Sequence, residues 1–182
     1  MIGEDKAVLR AHMRRLRMTH DGPALAVPTV LRTRLARPGI IASYLPIGGE
    51  VDPAPIVETA LALGWRIALP HVTTRAAPMR FLGWAPSDPL VAGPFGLRQP
   101  AFDTPELVPD LILTPLVAFD HALNRLGQGA GHYDRAFAAL PDALRIGVAW
   151  SVQQVPKVPV DAWDIALHAI VTERDWIGPD SL

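Results

Sequence analysis

The sequence predicts an α/β layered fold with a mainly parallel sheet, in a single domain over residues 1–182. Short, continuous apolar runs such as 40–45 and 65–69 alternate with longer segments of helical periodicity. Strands that are apolar without interruption are typical of parallel sheets, because helices cover both faces of such sheets. A chain of 182 residues is also long enough for one domain with a sizeable core.

The helices are predicted from the spacing of apolar residues and from the residues at their ends. Residues 4–18 form a basic amphipathic segment, in which Leu9, Met13 and other apolar side chains share one face while lysine and arginine occupy the rest. Three more helices are predicted at 23–36, 54–63 and about 131–140.

The strands are predicted from short apolar runs bounded by proline and glycine. They cover 40–45, 65–69, 79–84, 111–114, 145–150 and 166–171. Pro70 is expected to end the second strand, and the proline-rich span 85–109 is expected to be loop. In parallel sheets ligands bind at the carboxyl ends of strands, so 44–50, 69–71, 114–119 and Trp150 are expected to converge on one crevice.

Composition excludes several classes of function. The hydrophobic fraction of 49% and charged fraction of 19% indicate a globular chain. The net charge of −1 gives no argument for a nucleic-acid or anionic-membrane partner. Cysteine is absent, which excludes a disulfide framework, and no apolar run approaches the roughly 20 residues that span a bilayer. A soluble, cytoplasmic monomer that acts on small molecules is expected.

Residues 125–135, RLGQGAGHYDR, are the most informative segment of the chain. Glycines at alternate positions let the backbone bend and bring its N–H groups close to a ligand, and such groups ahead of a helix attract phosphate. An aspartate directly after them can reach the magnesium that accompanies a nucleotide. The segment lacks the lysine of a P-loop and the spacing of a dinucleotide motif. A glycine-rich turn that only connects two elements is the alternative.

Two carboxylates and two cations are further candidates, each with a plain structural alternative. Asp134 and Asp164 are candidate Mg²⁺ ligands, since this ion takes oxygen ligands and needs only one or two carboxylates. Asp164 alone is more typical of a turn or a helix cap. Lys6 and Arg10 are four residues apart on one helix face and could hold phosphates, although a solvated face is the commoner outcome.

Glu50 follows two glycines after a predicted strand and could accept hydrogen bonds from an amino-heterocycle, or be a turn residue. Trp84 and Tyr133 could wall a pocket for a flat ligand, although single aromatic residues are more often core. His132 is the one histidine expected to touch a ligand, because it lies inside the glycine segment.

Several short motifs occur in a fixed order along the chain. They are Lys6–Arg10, Tyr44–Pro46, Gly49–Pro53, Gly93–Gly96, the segment 125–135, Val158–Asp164 and Ala169–Glu173. With them the chain resembles the 5-formyltetrahydrofolate cyclo-ligase family, also called 5,10-methenyltetrahydrofolate synthetases, in register over nearly its whole length. The central segment is similar to the family pattern RxGxGxGYYDR.

The resemblance implies a three-layer, Rossmann-like fold and an enzyme that uses ATP and Mg²⁺. The implied reaction converts 5-formyltetrahydrofolate to 5,10-methenyltetrahydrofolate, ADP and phosphate. In the family's mechanism the formyl oxygen attacks the γ-phosphate, and nitrogen 10 of the folate then displaces phosphate. Phosphoryl transfer of this kind needs positioning and charge neutralisation more than a protein nucleophile.

The resemblance also implies site residues, by position in this sequence. Arg125 and Tyr133 would be catalytic, and Asp134 and Asp164 would hold Mg²⁺. The residues implied to bind ATP are Lys6, Arg10, Arg125, Gly127, Gln128, Gly129, Ala130, Gly131, His132 and Tyr133. The residues implied to contact the folate are Leu45, Glu50, Trp84, Gln128, Gly129, Ala130, Gly131 and His132.

The chain departs from the family pattern at four places. His132 replaces the first tyrosine of the pair, Ala130 replaces a frequent glycine, Gln99 replaces a common glutamate, and Asp161-Ala162-Trp163 precedes Asp164 without a histidine. A Cβ at Ala130 requires a negative φ. Two other functions remain open from the residues: another nucleotide-dependent enzyme that would not need Glu50, and a non-catalytic nucleotide- or folate-binding protein.

Overall fold

The computed structural model describes residues 2–182, and their side chains from residue 5 onward. Its α-helices are α1 Ile2–Met18, α2 Thr29–Leu35, α3 Ala54–Ala62 and α4 His132–Ala139. Its strands are β1 Ile40–Ala42, β2 Arg66–His71, β3 Arg80–Trp84, β4 Val91–Ala92, β5 Arg98–Gln99, β6 Leu111–Pro115, β7 Ala118–Phe119, β8 Arg125–Leu126, β9 Leu144–Val148, β10 Ala169–Val171 and β11 Trp176–Ile177.

Seven strands form the main sheet in the order β11-β10-β9-β6-β1-β2-β3. The five inner strands are parallel to one another, and β3 and β11 close the two edges antiparallel to their neighbours. Two small hairpins, β4–β5 and β7–β8, lie outside this sheet. The predicted mainly parallel sheet is therefore confirmed.

Helices cover both faces of the sheet, because its strands are apolar on both sides. Ile41 of β1 faces α2 and α3, while its neighbour Ala42 faces α4. Leu113 and Ile112 of β6 divide in the same way. This alternation buries the strands from two directions and gives the three layers of the predicted fold.

The inward face of α1 differs from the predicted one. Lys6, Met13 and Arg17 are buried, and Arg10 is half-buried between them. The exposed positions include the apolar side chains of Val8, Leu16 and Met18. The basic side chains Lys6, Arg10 and Arg17 face the protein because carboxylates and backbone carbonyls of the loops beyond the strands accept their hydrogen bonds. The solvated alternative for Lys6 and Arg10 is wrong.

Three local predictions need correction. The helix predicted at 23–36 begins only at Thr29, because Pro28 is itself extended and a proline disfavours helical conformation in the residue before it. Pro70 lies within β2 rather than ending it, and it pairs with Phe81 of β3 at a point where β1 has already ended. Its missing N–H therefore breaks no bond to β1. The expected loop 85–109 contains the β4–β5 hairpin.

Among the helices of residues 2–182, none combines the length and the apolar character needed to cross a bilayer.

Candidate functional site

A cavity of about 890 Å³ lies at the carboxyl ends of β1, β2 and β6. Its volume is typical of a site for small molecules. Six lysine and arginine side chains and four carboxylates line it. The segments that follow these three strands converge on it as predicted. Trp150, which follows β9, does not line the cavity and instead donates from Nε1 to the Gly49 carbonyl at 2.9 Å.

The fold brings almost every predicted site residue to this one cavity. The predicted residues that line it are Lys6, Arg10, Leu45, Glu50, Arg125, Gly127, Gln128, Gly129, Ala130, Gly131, His132, Tyr133, Asp134 and Asp164. Trp84 is the exception, and its predicted place in the substrate pocket is wrong. Since β3 is antiparallel, Trp84 pairs with Ile67 near the amino end of β2, away from the cavity, and packs against the core.

The backbone of the glycine segment has the conformation that its alternating glycines permit. Gly129 and Gly131 have φ of 101° and 68°, in the left-handed region that favours glycine. Gly131 caps the start of α4. Ala130, between them, does not have a positive φ, so the replacement of a frequent glycine there causes no backbone strain.

Four arginines, Arg10, Arg14, Arg75 and Arg135, anchor this segment through its carbonyl groups. Arg10 donates from Nε to the Gly127 carbonyl at 2.8 Å, and Arg75 donates from Nη2 to the Gly129 carbonyl at 2.7 Å. No acceptor among the described residues engages the backbone N–H groups of 128–131. These N–H groups remain available to an anionic ligand in the cavity.

Opposite charges pair closely at one side of the cavity. The Lys6 ammonium lies between two carboxylates, 2.6 Å from Asp161 Oδ2 and 2.5 Å from Asp164 Oδ2. Burial disfavours the charged form of Lys6, but the hydrogen bonds to these two carboxylates outweigh it and raise the lysine's pKa. Arg125 donates to Asp134 Oδ1 at 2.8 Å and to the Ile165 carbonyl at 2.8 Å.

The two predicted metal ligands, Asp134 and Asp164, lie close together, and one oxygen of each already accepts hydrogen bonds. The Ile165 amide donates to Asp134 Oδ1 at 3.3 Å, which places Asp134 beside Asp164. Among the described side chains, residues 5–182, no group of three or more His, Cys, Asp or Glu forms a ready metal site. Asp134 Oδ2 and Asp164 Oδ1 accept no hydrogen bond from the described side chains or backbone. Hard carboxylate oxygens of this kind fit Mg²⁺, which completes its shell with water and phosphate oxygens.

Glu50 lies at another part of the cavity wall and is nearly dehydrated, with 5% of its side chain exposed. Its Oε2 accepts from the Ile47 amide at 3.2 Å, and its Oε1 lies 3.3 Å from Gln128 Nε2 and 3.5 Å from Arg17 Nη1. Burial raises the pKa of Glu50, and these three donors only partly oppose the shift. A buried carboxylate with remaining acceptor capacity can bind an N–H-rich ring.

The phenols of buried Tyr44 and half-buried Tyr133 lie near Glu50. Tyr44 donates from its hydroxyl to the Val51 carbonyl at 2.6 Å. Burial, reinforced by the nearby Glu50 carboxylate, raises the pKa of both Tyr44 and Tyr133. Both hydroxyls are therefore protonated at neutral pH, and the predicted catalytic Tyr133 can act as a hydrogen-bond donor or a wall but not as a base.

His132 is held by the helix that it begins. Its Nδ1 lies 3.1 Å from Arg135 Nη2, and its Nε2 has no partner among the described residues. Burial and the cations of Arg135 and Arg75 lower the pKa of His132. The ring is neutral at neutral pH, as a tyrosine would be at this position.

Several residues of the cavity were not among the predicted site residues, including Asp161, Arg75, Phe95 and Trp163. Asp161 was treated as a loop residue, although it shares Lys6 with Asp164. Arg75 lies in a turn with no motif. Phe95 and Trp163 line the cavity mouth with 64% and 69% of their surface exposed. One sequence signal could have identified Trp163: it is an aromatic residue between two aspartates of a motif, Asp161 and Asp164. A large exposed aromatic side chain of this kind often marks a binding site.

Residues 3–173 match the family model described as the 5-formyltetrahydrofolate cyclo-ligase family. The chain belongs to this family. It is 36% identical over 139 residues to the 5-formyltetrahydrofolate cyclo-ligase of Escherichia coli, a match that covers 72% of the chain and 76% of the relative. The corresponding protein of Mycolicibacterium smegmatis is 34% identical over 145 residues, which cover 74% and 73% of the two chains.

Solved structures of the family have the same fold. The 5,10-methenyltetrahydrofolate synthetase of Mycoplasma pneumoniae superposes with a TM-score of 0.67 at 25% identity, over 93% of this chain and 99% of the other. The Aquifex aeolicus 5,10-methenyltetrahydrofolate synthetase gives a TM-score of 0.69 at 29% identity, over 94% and 91%. The predicted fold class, and the prediction that the chain is an enzyme of this family, are confirmed.

Proposed function

We propose that the protein cyclises 5-formyltetrahydrofolate to 5,10-methenyltetrahydrofolate with ATP and Mg²⁺, and releases ADP and phosphate. One observation carries the proposal: a single cavity is lined by the glycine segment with its available N–H groups and by the buried carboxylate of Glu50. The first suits phosphate, and the second suits the N–H groups of a pterin. An enzyme that transfers phosphate to a folate needs both within one site.

The reaction proceeds by attack of the formyl oxygen on the γ-phosphorus, with cleavage of the bond between that phosphorus and the leaving oxygen of ADP. Nitrogen 10 then bonds to the activated carbon, loses its proton, and phosphate departs with the formyl oxygen. The chain's role is to hold the reacting groups in line and to neutralise charge, which accounts for most of the catalysis in such reactions.

The nucleotide is held by the cationic part of the cavity. Arg10 and Arg75 already fix the glycine segment, so its N–H groups can bind phosphate without further ordering. Arg125, anchored by Asp134 and Ile165, presents a fixed positive charge beside them. A side chain held in this way can stabilise the negative charge on the transferred phosphoryl group without reorganising.

Asp134 and Asp164 are the residues that would hold Mg²⁺, which neutralises phosphate charge when bound. Both carboxylates have an oxygen free of hydrogen bonds from the described residues. Lys6 pairs with Asp164 and Asp161, and the flexible stem of a lysine allows its ammonium to exchange these partners for a phosphate. Lys6 would therefore serve either the carboxylates or the nucleotide.

The folate is held by Leu45 and Glu50, with the hydroxyl of Tyr133 as a further donor. Glu50 accepts from the pterin N–H groups in its ionised form. Neutral His132 and Gln128 lie where the glycine segment faces Glu50, so they would lie between the two substrates.

The deciding experiment mixes the purified protein with 5-formyltetrahydrofolate, ATP and Mg²⁺ and follows the near-ultraviolet absorbance of the methenyl product. We expect absorbance to grow only when ATP and a divalent cation are both present. Omission of each component in turn is the control. Turnover without ATP would disprove the phosphorylation route. ATP and folate binding without turnover would favour the binding-protein alternative.

A further inference from the structure

Arg17 is a buried cation that has no part in the proposed binding of either substrate. Only 3% of its side chain is exposed, although it lies on α1 beyond Lys6 and Arg10. It is not among the residues that line the cavity. Burying a guanidinium costs free energy unless all its donors are engaged. The buried Arg17 guanidinium therefore needs hydrogen-bond acceptors that offset the cost of its burial. These acceptors identify the segments of the chain that Arg17 fixes.

The guanidinium of Arg17 joins three segments of the chain. Nε donates to the Gly48 carbonyl at 3.0 Å, and Nη1 donates to the Leu116 carbonyl at 3.1 Å and lies 3.5 Å from Glu50 Oε1. Gly48 and Glu50 belong to the segment after β1, and Leu116 follows β6. Arg17 thus ties α1 to the carboxyl ends of two neighbouring strands, directly behind the cavity wall.

The backbone packing of the same segment is equally close. Gly49 has a φ of 75°, and a Cβ on it would lie 3.1 Å from the Arg17 carbonyl oxygen and 3.2 Å from Met18 Cα. The turn that carries Glu50 is therefore in direct contact with the end of α1. A small movement of this turn would change where Glu50 points into the cavity.

We infer that Arg17 is a positioning residue, which fixes the turn 47–50 and holds Glu50 in place for the folate without touching either substrate. This inference rests on the proposed function, because it takes Glu50 as the folate acceptor. Arg17 is the sole cation in contact with Glu50 among residues 5–182, and the other two donors, the Ile47 amide and Gln128, are neutral. Lysine cannot replace the arginine, since one ammonium group cannot reproduce the planar fork that reaches Gly48, Leu116 and Glu50.

Arg17 also favours the ionised form of Glu50 by opposing the rise in its pKa. Burial raises the pKa of Glu50 and Arg17 opposes that shift, while the other titratable groups facing it, Tyr44 and Tyr133, are neutral phenols. Without Arg17 the pKa of Glu50 rises further. The pH below which folate affinity falls would then move upward, because the protonated acid accepts fewer hydrogen bonds from the ligand.

The test compares Arg17→Met and Arg17→Lys with Arg15→Met, which removes one exposed charge from the same helix. KM for 5-formyltetrahydrofolate, KM for ATP and kcat are measured for each, with thermal unfolding as a check on folding. For both Arg17 variants we expect the folate KM to rise by about tenfold or more, an effect typical of losing a side chain that orients a ligand-binding residue. The ATP KM should stay within about twofold of the wild-type value. Arg15→Met should match the wild type.

The pH dependence of folate KM separates positioning from a general structural role. In Arg17→Met the acidic limb should move to higher pH, whereas a protein that is only less stable would keep the wild-type limb. Arg17→Lys keeps a buried charge and supplies the kinetic comparison if Arg17→Met does not fold. Equal losses for ATP and folate, or an unchanged folate KM, would overturn the inference. A wild-type protein that binds no folate would instead refute the proposed function.

Discussion

Two groups of carboxylates line the cavity, and their environments differ. Asp134, Asp161 and Asp164, the carboxylate cluster, each contact a lysine or arginine nitrogen at 2.8 Å or less. Among the described side chains, Glu50 has one cationic partner, Arg17 at 3.5 Å, and its other donors are neutral. The three carboxylates of the cluster share two close cations, Lys6 and Arg125, while Glu50 is dehydrated and has only one distant cation.

The two environments correspond to two ways in which a protein can prepare carboxylates for a ligand. Ion pairs store charge that an incoming ligand can take over by exchanging partners, and Lys6, on its flexible stem, is suited to such an exchange. A dehydrated carboxylate instead binds a neutral N–H donor strongly, because an unpaired buried acceptor is costly. The first preparation suits a charged nucleotide with its metal, and the second suits a neutral heterocycle.

Asp134→Asn breaks the carboxylate cluster and should have the largest effect. It keeps the side-chain shape but removes one charge from the proposed metal site, so kcat for methenyl formation should fall by about 100-fold or more. Buried Arg125 would keep its bond to Ile165 but lose its ion pair, so the free energy of unfolding should fall by roughly 2 kcal/mol.

Initial rates at saturating substrates and thermal unfolding measure these two effects. Asp142→Asn, an exposed aspartate outside the cavity, is the matched control. A normal rate in Asp134→Asn would remove this residue from the metal site.

Glu50→Gln tests the other side of the comparison. Loss of one charged hydrogen bond, about 1.5–3 kcal/mol, should raise the folate Kd by about ten- to a hundredfold and leave ATP binding nearly unchanged. Because the pKa of Glu50 is raised, folate affinity of the wild type should fall as pH drops through that pKa. The glutamine variant has no such titration, so its folate affinity should be flat over the same range. Titration calorimetry at several pH values measures both; an equal loss for the two ligands would place Glu50 outside the folate pocket.

Lys6→Met tests whether the lysine exchanges its carboxylate partners when metal and nucleotide bind. Removal of the ammonium leaves Asp161 and Asp164 without their cation, so Mn²⁺, a spectroscopic substitute for Mg²⁺, should bind about tenfold more tightly in the absence of nucleotide. ATP affinity should fall, since Lys6 is also a proposed phosphate contact. Electron paramagnetic resonance of free Mn²⁺ gives the metal affinity, and Lys157→Met is the control for the chain's other lysine. Unchanged Mn²⁺ binding would exclude these carboxylates as metal ligands.

The sequence predicted the main elements well and their side-chain directions less well. Continuous apolar strands indicate a sheet covered on both faces, and this pattern is local, so it can be recognised without the structure. The inward face of α1 could not be, because the buried Lys6 and Arg17 are stabilised by partners more than 30 residues away along the chain. Hydrophobic periodicity contains no information about such partners.

The same limit applies to the site. The glycine segment and Asp134 are adjacent in sequence, so their motif identifies them together. Trp84 was misplaced because its position depends on β3 running antiparallel at the sheet edge. Asp161 was overlooked because only the fold shows that Lys6 bridges it to Asp164.

The glycine segment offers the smallest expected effect and a test that does not involve charge. Gly129→Ala places a Cβ at a φ of 101°, where the conformational energy of a residue with a side chain is about 1–2 kcal/mol higher than that of glycine. The strained segment should bind ATP up to about tenfold more weakly. Gly127→Ala is the control, since its φ is not in the left-handed region and nothing lies within 4 Å of the added carbon. Folate affinity measured without nucleotide should be the same in both variants. If Gly129→Ala weakened folate binding as much as ATP binding, the parts of the site that bind folate and ATP would not be independent. The glycine segment would then position Glu50 through Gln128 as well as bind phosphate.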